Sequence, residues 1–344
     1  MIGRRACLQA VASASLYLLT GCKPSEKEKA VASQLIKAMN THAVGRHLLD
    51  TPSDFEMKGG SVVLTYGLTK EFTTVEIVVK SFEATPASFA NFLSTRKLEI
   101  SSEAHDKLAN TSMLIETIEL SPTATLLRRY DNSLMTDAFQ TQLITLVGTV
   151  LVTAWQDSYE GNFAPATQRL TRVASQLSAP DADPFGGKGF RIGKLLIATD
   201  HDQENGDASF SSPAAKDVLV ELLVDAISPN PSPSLFGRWD EPNWVEATMG
   251  RKPTTARRRS ITLAGMQAEE LLTKANIDKR LVMKLWAESK RPVPGFATPL
   301  LTVQMDTAPR KAEETSVPGP WTELDTVTVW DAIVKSVRPR PSAV

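Results

Sequence analysis

The chain has 344 residues, enough for about two domains, and its 42% hydrophobic and 22% charged residues describe an ordinary globular body. Its 38 basic and 39 acidic side chains leave a formal net charge of −1, so there is no broad basic surface to attract nucleic acid. The two cysteines, Cys7 and Cys22, both lie near the N-terminus and exclude a disulfide framework for the body.

The first segment places Arg4 and Arg5 before a mainly apolar run from Ala6 to Leu19. That run is too short to span a bilayer as a helix and has the order of a secretory signal, here assigned to residues 1–21. Removing it takes two arginines and no acid, which moves the formal net charge to −3. Cys22 then becomes the first residue and the rest of the body has no thiol. A cysteine-based zinc site and a cysteine nucleophile are excluded with it.

Residues 22–40 read as a polar tether followed by a short helix over 30–40. Ser61 to Tyr66 and the alternating Thr73, Val75, Ile77 and Val79 read as strands. Phe82 to Leu93 reads as a helix with Pro86 near its start. Met113 to Leu120 alternates again. Leu143–Val147 and Val150–Val152, separated by Gly148, read as two strands or one bulged strand. Ala164 to Leu177 places Leu170, Val173 and Leu177 on one helical face. The turn-rich stretch around 179–187 divides a region 41–180 from a second region 186–342.

Beyond that division, Phe190–Ile197 and Val218–Ile227 read as strands, and Ser228–Ser234, with three prolines, as an extended loop. Ser260–Leu263 reads as a short strand and Ala268–Ala275 as a helix. Leu281–Ala287 and Leu300–Met305 read as further strands. A last helix over 322–337 has an apolar stripe containing Trp330, and Pro339 and Pro341 stop it. The predicted fold class is α+β, with two domains, each an antiparallel sheet carrying a few packed helices.

No Gly-x-Ser-x-Gly elbow, Walker-type loop or His-Glu-x-x-His helix is present. The four histidines do not share a metal-ligand spacing, and His47 reads as structural. Asp200 to Asp207 places Asp200, Asp202 and Glu204 at alternate positions like the start of a calcium loop. Its glycine is one position late, however, and Ser211 stands where a bidentate glutamate belongs. A solvated turn is the expected structure, with calcium as an alternative. No cofactor and no metal are expected.

Asp202 and Glu204 on that acidic turn are candidate contacts for a basic partner. Trp239, Asp240, Glu241 and Trp244 form an aromatic–acidic patch of the kind that anchors interfaces. Arg257 and Arg258, within the run Arg257-Arg258-Arg259, are further candidates on an exposed basic loop.

Leu19-Thr20-Gly21-Cys22 resembles the lipobox of bacterial lipoproteins. The resemblance implies that the Cys22 thiol carries lipid and anchors the chain in the periplasm. Lys23 after the cysteine points to the inner leaflet of the outer membrane. The ending Val329-Trp330-Asp331-Ala332-Ile333-Val334, continued to Val344, resembles that of the immunity proteins paired with phospholipase effectors of the type VI secretion system. Val44–Pro52, Gly189–Ile197 and Ile261–Gly265 with Glu269-Glu270 resemble further blocks of that family in order.

The family often has cysteines near positions 43 and 191, where this chain has Ala43 and Arg191, so a covalent brace of that kind is missing. Met266-Gln267-Ala268 interrupts the glutamate-containing element, and no role is transferred to Glu269 or Glu270. The resemblance implies a non-enzymatic inhibitor that binds a lipase effector in the periplasm and blocks access to its active site. The alternative is an envelope or solute-binding lipoprotein with no toxin partner.

Overall fold

The computed structural model describes residues 25–68, 72–180, 183–241, 253–277, 280–291, 293, 295–307 and 321–344. Cys22 and Trp244 lie outside the described residues. Ser25 opens helix α1 (Glu26–Leu35) with a capping box, its hydroxyl accepting from the Glu28 N–H while Glu28 bonds back to the Ser25 N–H. The helix therefore starts and ends earlier than the 30–40 reading. A hairpin of β1 (Met39–Gly45) and β2 (His47–Pro52) follows. Strands β3 (Glu56–Tyr66) and β4 (Thr73–Ser81) match the alternating runs of the sequence. The next helix, α2 (Pro86–Ser102), starts only at Pro86, because Thr85 and Ser88 form a capping box and proline suits the first helical turn.

A meander of β5 (Leu114–Ser121), β6 (Ala124–Tyr130), β7 (Ala138–Val147) and β8 (Val150–Tyr159) leads to α3 (Ala164–Gln176). The segments around Gly148 are thus two strands of a hairpin. Then come β9 (Leu177–Ser178), β10 (Phe190–Ile192), β11 (Leu195–Ile197), β12 (Gln203–Ser211) and β13 (Leu219–Asp225). The single strand read over 190–197 is a hairpin, β10 pairing with β11. A short α4 (Leu235–Asp240) follows the proline loop. The chain ends with β14 (Thr254–Leu263), β15 (Met266–Ile277), β16 (Arg280–Ser289), β17 (Leu300–Asp306), α5 (Glu323–Ser336) and β18 (Arg338–Pro339).

The fold is α+β, and every described strand pairing is antiparallel. Twelve strands form one sheet in the order β14-β15-β16-β17-β13-β12-β3-β4-β8-β7-β6-β5, and six form another in the order β18-β2-β1-β10-β11-β9. Both sheets draw strands from either side of the 180–186 stretch. The pairing of β3 with β12 (Leu64 opposite Glu204) joins the halves of the long sheet. In the small sheet, β1 pairs with β10.

The small sheet lies close on the long one because two glycines there have no side chain. A Cβ on Gly206 would stand 2.6 Å from the Phe190 ring, and one on Gly60 would stand 2.4 Å from Ile192. One continuous core includes Leu64, Phe190, Phe210, Leu285 and Trp330, and a smaller one forms under α2 around Phe89, Ile100 and Met113. Among the described residues, no helix is long and apolar enough to cross a membrane.

Two expectations are corrected. Ala268–Ala275 is part of strand β15, not a helix. Ala264 and Gly265, both at positive φ, make a tight turn that folds β15 onto β14, and β16 pairs on its other side. Pairing along both edges overrides the helical propensity of Ala-Glu-Glu-Leu-Leu. The expected solvated turn at 200–207 is strand β12 from Gln203 onward, and its Glu204 points inward with 1% exposure.

Candidate functional site

Of the residues singled out on the C-terminal half, Trp239, Asp240, Glu241 and Arg258 meet around α4. Ser234 caps this helix through the Gly237 N–H, and Glu269 of β15 accepts from the Phe236 N–H at 2.9 Å. The α4 side chain Arg238 donates to Glu288 of β16 at 2.7 Å, so the helix is clamped onto two strands. Asp240 receives a bidentate pair of bonds from Arg258 at 2.7 and 2.9 Å, and the Arg258 guanidinium lies 4.4 Å over the Phe236 ring. Those hydrogen bonds hold the Asp240 carboxyl below the usual carboxylate range. Trp239 is half-buried on this helix, while Asp240 and Glu241 are exposed.

Arg257, Arg258 and Arg259 do not form one basic cluster. They lie on strand β14, where successive side chains leave opposite faces. Arg258 serves α4, whereas Arg257 and Arg259 turn toward α5. There Arg257 Nη2 and Arg259 Nε reach Glu270 at 3.0 and 2.6 Å, and both arginines also bond Asp331. Glu270 is fully buried and takes a further bond from Trp330 Nε1 at 2.9 Å. Trp330 is in the core as expected, and Glu270 holds α5 against β14 and β15.

The other two candidates separate by exposure. Asp202 is exposed and accepts from the Gly67 N–H at 2.7 Å, closing the end of β3. Glu204 is sealed inside a polar cluster. Arg46, in the β1–β2 turn, grips it with two bonds of 2.8 and 3.0 Å and also donates to the Ala343 carbonyl. His201 Nε2 meets the same carboxylate at 2.8 Å, and the Phe296 ring covers Arg46 at 4.3 Å. Burial works to raise the Glu204 pKa, but the bonds from His201 and Arg46 outweigh it and hold the carboxyl below its usual range. Glu204 is committed to a guanidinium and does not point outward as a calcium-loop ligand would. Among the described residues, no group of three or more His, Cys, Asp or Glu side chains could hold a metal.

Thr199, His201 and Glu204 have the connectivity of a hydroxyl–imidazole–carboxylate relay, with Thr199 Oγ1 at 3.0 Å from His201 Nδ1. Three features disqualify it as a reaction centre. Nδ1 also faces the Thr199 carbonyl at 2.8 Å, Glu204 is spent on Arg46, and the Tyr66 and Phe296 rings stand edge-on to the imidazole. An open groove of about 410 Å³ passes Tyr66, Arg169 and Asp200 but does not reach Thr199 or His201.

The same region carries the C-terminal tail. Arg340 donates to the carbonyls of Phe185, Gly186, Gly187 and Gly189, and its own N–H donates to the Arg46 carbonyl. Arg191 donates to the Gly186 and Asp183 carbonyls. His47, fully packed beside these cations, is pushed down to about 4, mainly by burial and further by Arg340 and Arg46. Sequence patterns flagged His47 but not its neighbour Arg46, whose carboxylate partner lies 158 residues away.

Residues 186–342 match the family model described as "Tle cognate immunity protein 4 C-terminal domain". The fold is shared with the apo immunity protein TplEi of the T6SS from Pseudomonas aeruginosa, at TM-score 0.64 and 18% identity. That alignment covers 89% of this chain and 98% of the other. A structure of the Tle4–Tli4 complex gives the same values. TplEi complexed with "L" peptide aligns at TM-score 0.60 and 17% identity, covering 89% and 99%. No curated protein matches the chain.

Proposed function

We propose that this chain, whose residues 186–342 belong to the Tle cognate immunity protein 4 C-terminal domain family, is a lipid-anchored periplasmic immunity protein. It binds a cognate type VI secretion lipase effector and blocks access to its active site, without turning over a substrate. The observation that carries this reading is the family match. It is supported by the fold shared with the T6SS immunity protein TplEi and with the Tle4–Tli4 complex, which extends to the N-terminal half. The exposed pair of Asp240 on α4 and Arg258 on β14 is one proposed contact surface.

Anchoring through Cys22 gives the inhibitor a physical advantage. An effector that attacks phospholipid from the periplasmic face works at the bilayer surface. A tether there raises the local inhibitor concentration with no new contact. Two acyl signals or more hold a protein stably where one does not, which suits the triacylated cysteine of bacterial lipoproteins.

The test uses residues 23–344 and the lipase effector encoded beside the gene. Stoichiometric inhibition of phospholipid hydrolysis is expected. Undiminished hydrolysis at molar excess of the purified chain overturns the reading. For the anchor, Cys22→Ser moves the full-length protein from the membrane fraction to the soluble fraction. Unchanged fractionation removes the lipid from the account.

A further inference from the structure

We propose that one end of the twelve-stranded sheet, where Leu68 and Phe72 at the facing ends of β3 and β4 join the β6–β7 and β8–α3 connections, docks an apolar patch ringed by basic side chains on the effector. The inference rests on the immunity reading and adds the surface and the chemistry of the partner.

Strand register brings these connections together. Tyr66 pairs with Thr73, Tyr130 with Phe139, and Ala138 with Tyr159. The β4–β8 register, Glu76 opposite Trp155, brings Phe72 to the level of Tyr159. In the order β3-β4-β8-β7-β6, four strand intervals span about 19 Å. Along that span Leu68 is 49% exposed, Phe72 69%, Leu134 60%, Met135 42% and Tyr159 63%. Half of the ten exposed large apolar side chains among the described residues thus collect at one end of one sheet. Exposed apolar side chains gathered at one end in this way mark an interaction site, whereas scattered single residues do not.

The patch is held ready. His105 Nδ1 accepts from the Lys107 and Leu108 N–H groups, which leaves Nε2–H to donate to the Met135 carbonyl at 3.0 Å. The Asp106 N–H bonds the Ser133 carbonyl, tying the α2–β5 segment to the β6–β7 connection, and the Glu160 N–H bonds the Asp137 carbonyl at 2.9 Å, tying that connection to the β8–α3 one. Beneath them His105, Tyr130, Phe139 and Phe163 pack ring against ring at centroid distances of 4.5, 5.3 and 4.8 Å. Leu134, Met135 and Tyr159, exposed on so constrained a backbone, lose little further entropy on binding.

Charge selects the occupant. Asp106, Asp131, Asp137, Asp157 and Glu160 are exposed around the patch, and none forms an ion pair among the described residues. Two nearby arginines are turned inward. Arg128 pairs with Glu116 and lies 4.1 Å over the Phe163 ring, while Arg129 donates to the Tyr130 and Asp131 carbonyls. Among the described residues, Lys107 and, on the α3 side near Tyr66, Arg172 are exposed cations that the five carboxylates outnumber. An acidic rim repels an anionic lipid surface and attracts a basic protein surface.

The experiment measures binding of residues 23–344 to a catalytically silent form of the neighbouring lipase effector, between about 0.05 and about 0.3 M salt. Phe72→Asp with Tyr159→Asp is expected to weaken binding about 100-fold or more. Asp137→Lys with Glu160→Lys is expected to weaken binding and flatten its salt dependence. The control Leu98→Asp, at an equally exposed position on α2, is expected to bind as the wild type does. Unfolding midpoints establish that each variant is folded. If the wild type binds and the patch variants bind equally well, the surface is overturned while the immunity reading stands. If the wild type does not bind, both fall. Sedimentation with phosphatidylethanolamine–phosphatidylglycerol vesicles that is lost in Phe72→Asp with Tyr159→Asp, effector binding being intact, assigns the patch to the membrane and overturns the proposal.

Discussion

Acid should weaken this protein well before its carboxylates titrate, and His47 is the cause. Its side chain is buried, and it lies beside Arg46 and Arg340, so its pKa is pushed from 6.5 down to about 4. The unfolded chain binds the proton more readily than the folded one. The stabilisation from keeping His47 neutral is therefore complete above pH 6.5 and is lost as pH falls from 6.5 toward 4. A shift of this size corresponds to about 3 kcal/mol in full and about 2 kcal/mol by pH 5. His42, also depressed mainly by burial, acts in the same direction and remains as a background. Glu204, held below the carboxylate range, loses its contribution only at still lower pH.

The assay is urea unfolding of residues 23–344 at a series of pH values from 7.5 to 4.5, for the wild type and His47→Leu, which keeps an uncharged group of similar size. The variant starts from its own stability but should lose about 2 kcal/mol less than the wild type on going to pH 5. Parallel stability curves for the two proteins refute the assignment.

Glu204→Gln leaves the buried Arg46 guanidinium without its carboxylate, at an expected cost of about 3–5 kcal/mol in urea unfolding. A loss under about 1 kcal/mol would show that solvent reaches the pair. Glu270→Leu removes the shared acceptor of Arg257, Arg259 and Trp330, so α5 should loosen and Trp330 emission should shift to the red before global unfolding. An unchanged spectrum and midpoint would mean that packing alone holds this helix. Residues 186–342 expressed alone lack β3 and the β1–β2 hairpin, leaving the inner edge of β12 unpaired. The fragment should aggregate, because a long bare edge templates further pairing. A monomeric fragment with a cooperative unfolding transition would contradict this.

What could be read from the residues depended on whether the deciding contacts were local. Helix α5 was legible because its apolar stripe, its capping Thr322 and the following prolines all lie within one stretch. The same holds for β4, where period-two alternation is complete, and for α3. Strand β12 was not legible: Glu204-Asn205-Gly206-Asp207 has the composition of a turn. The chain can bury Glu204 there only because Arg46 arrives from 158 residues away, and it needs Gly206 because Phe190 of the other sheet presses on it. Strand β15 failed for the same reason, its helix-forming residues being overruled by partners on both edges.

The candidate surface shows the limit more sharply. Three consecutive arginines read as one basic patch, yet the two-residue period of β14 gives Arg258 to α4 and Arg257 and Arg259 to α5. Leu68, Phe72, Leu134, Met135 and Tyr159 carry no motif and are spread over 92 positions of sequence. Only strand order makes them neighbours, so an apolar docking end of this kind becomes visible when the register is known and not before.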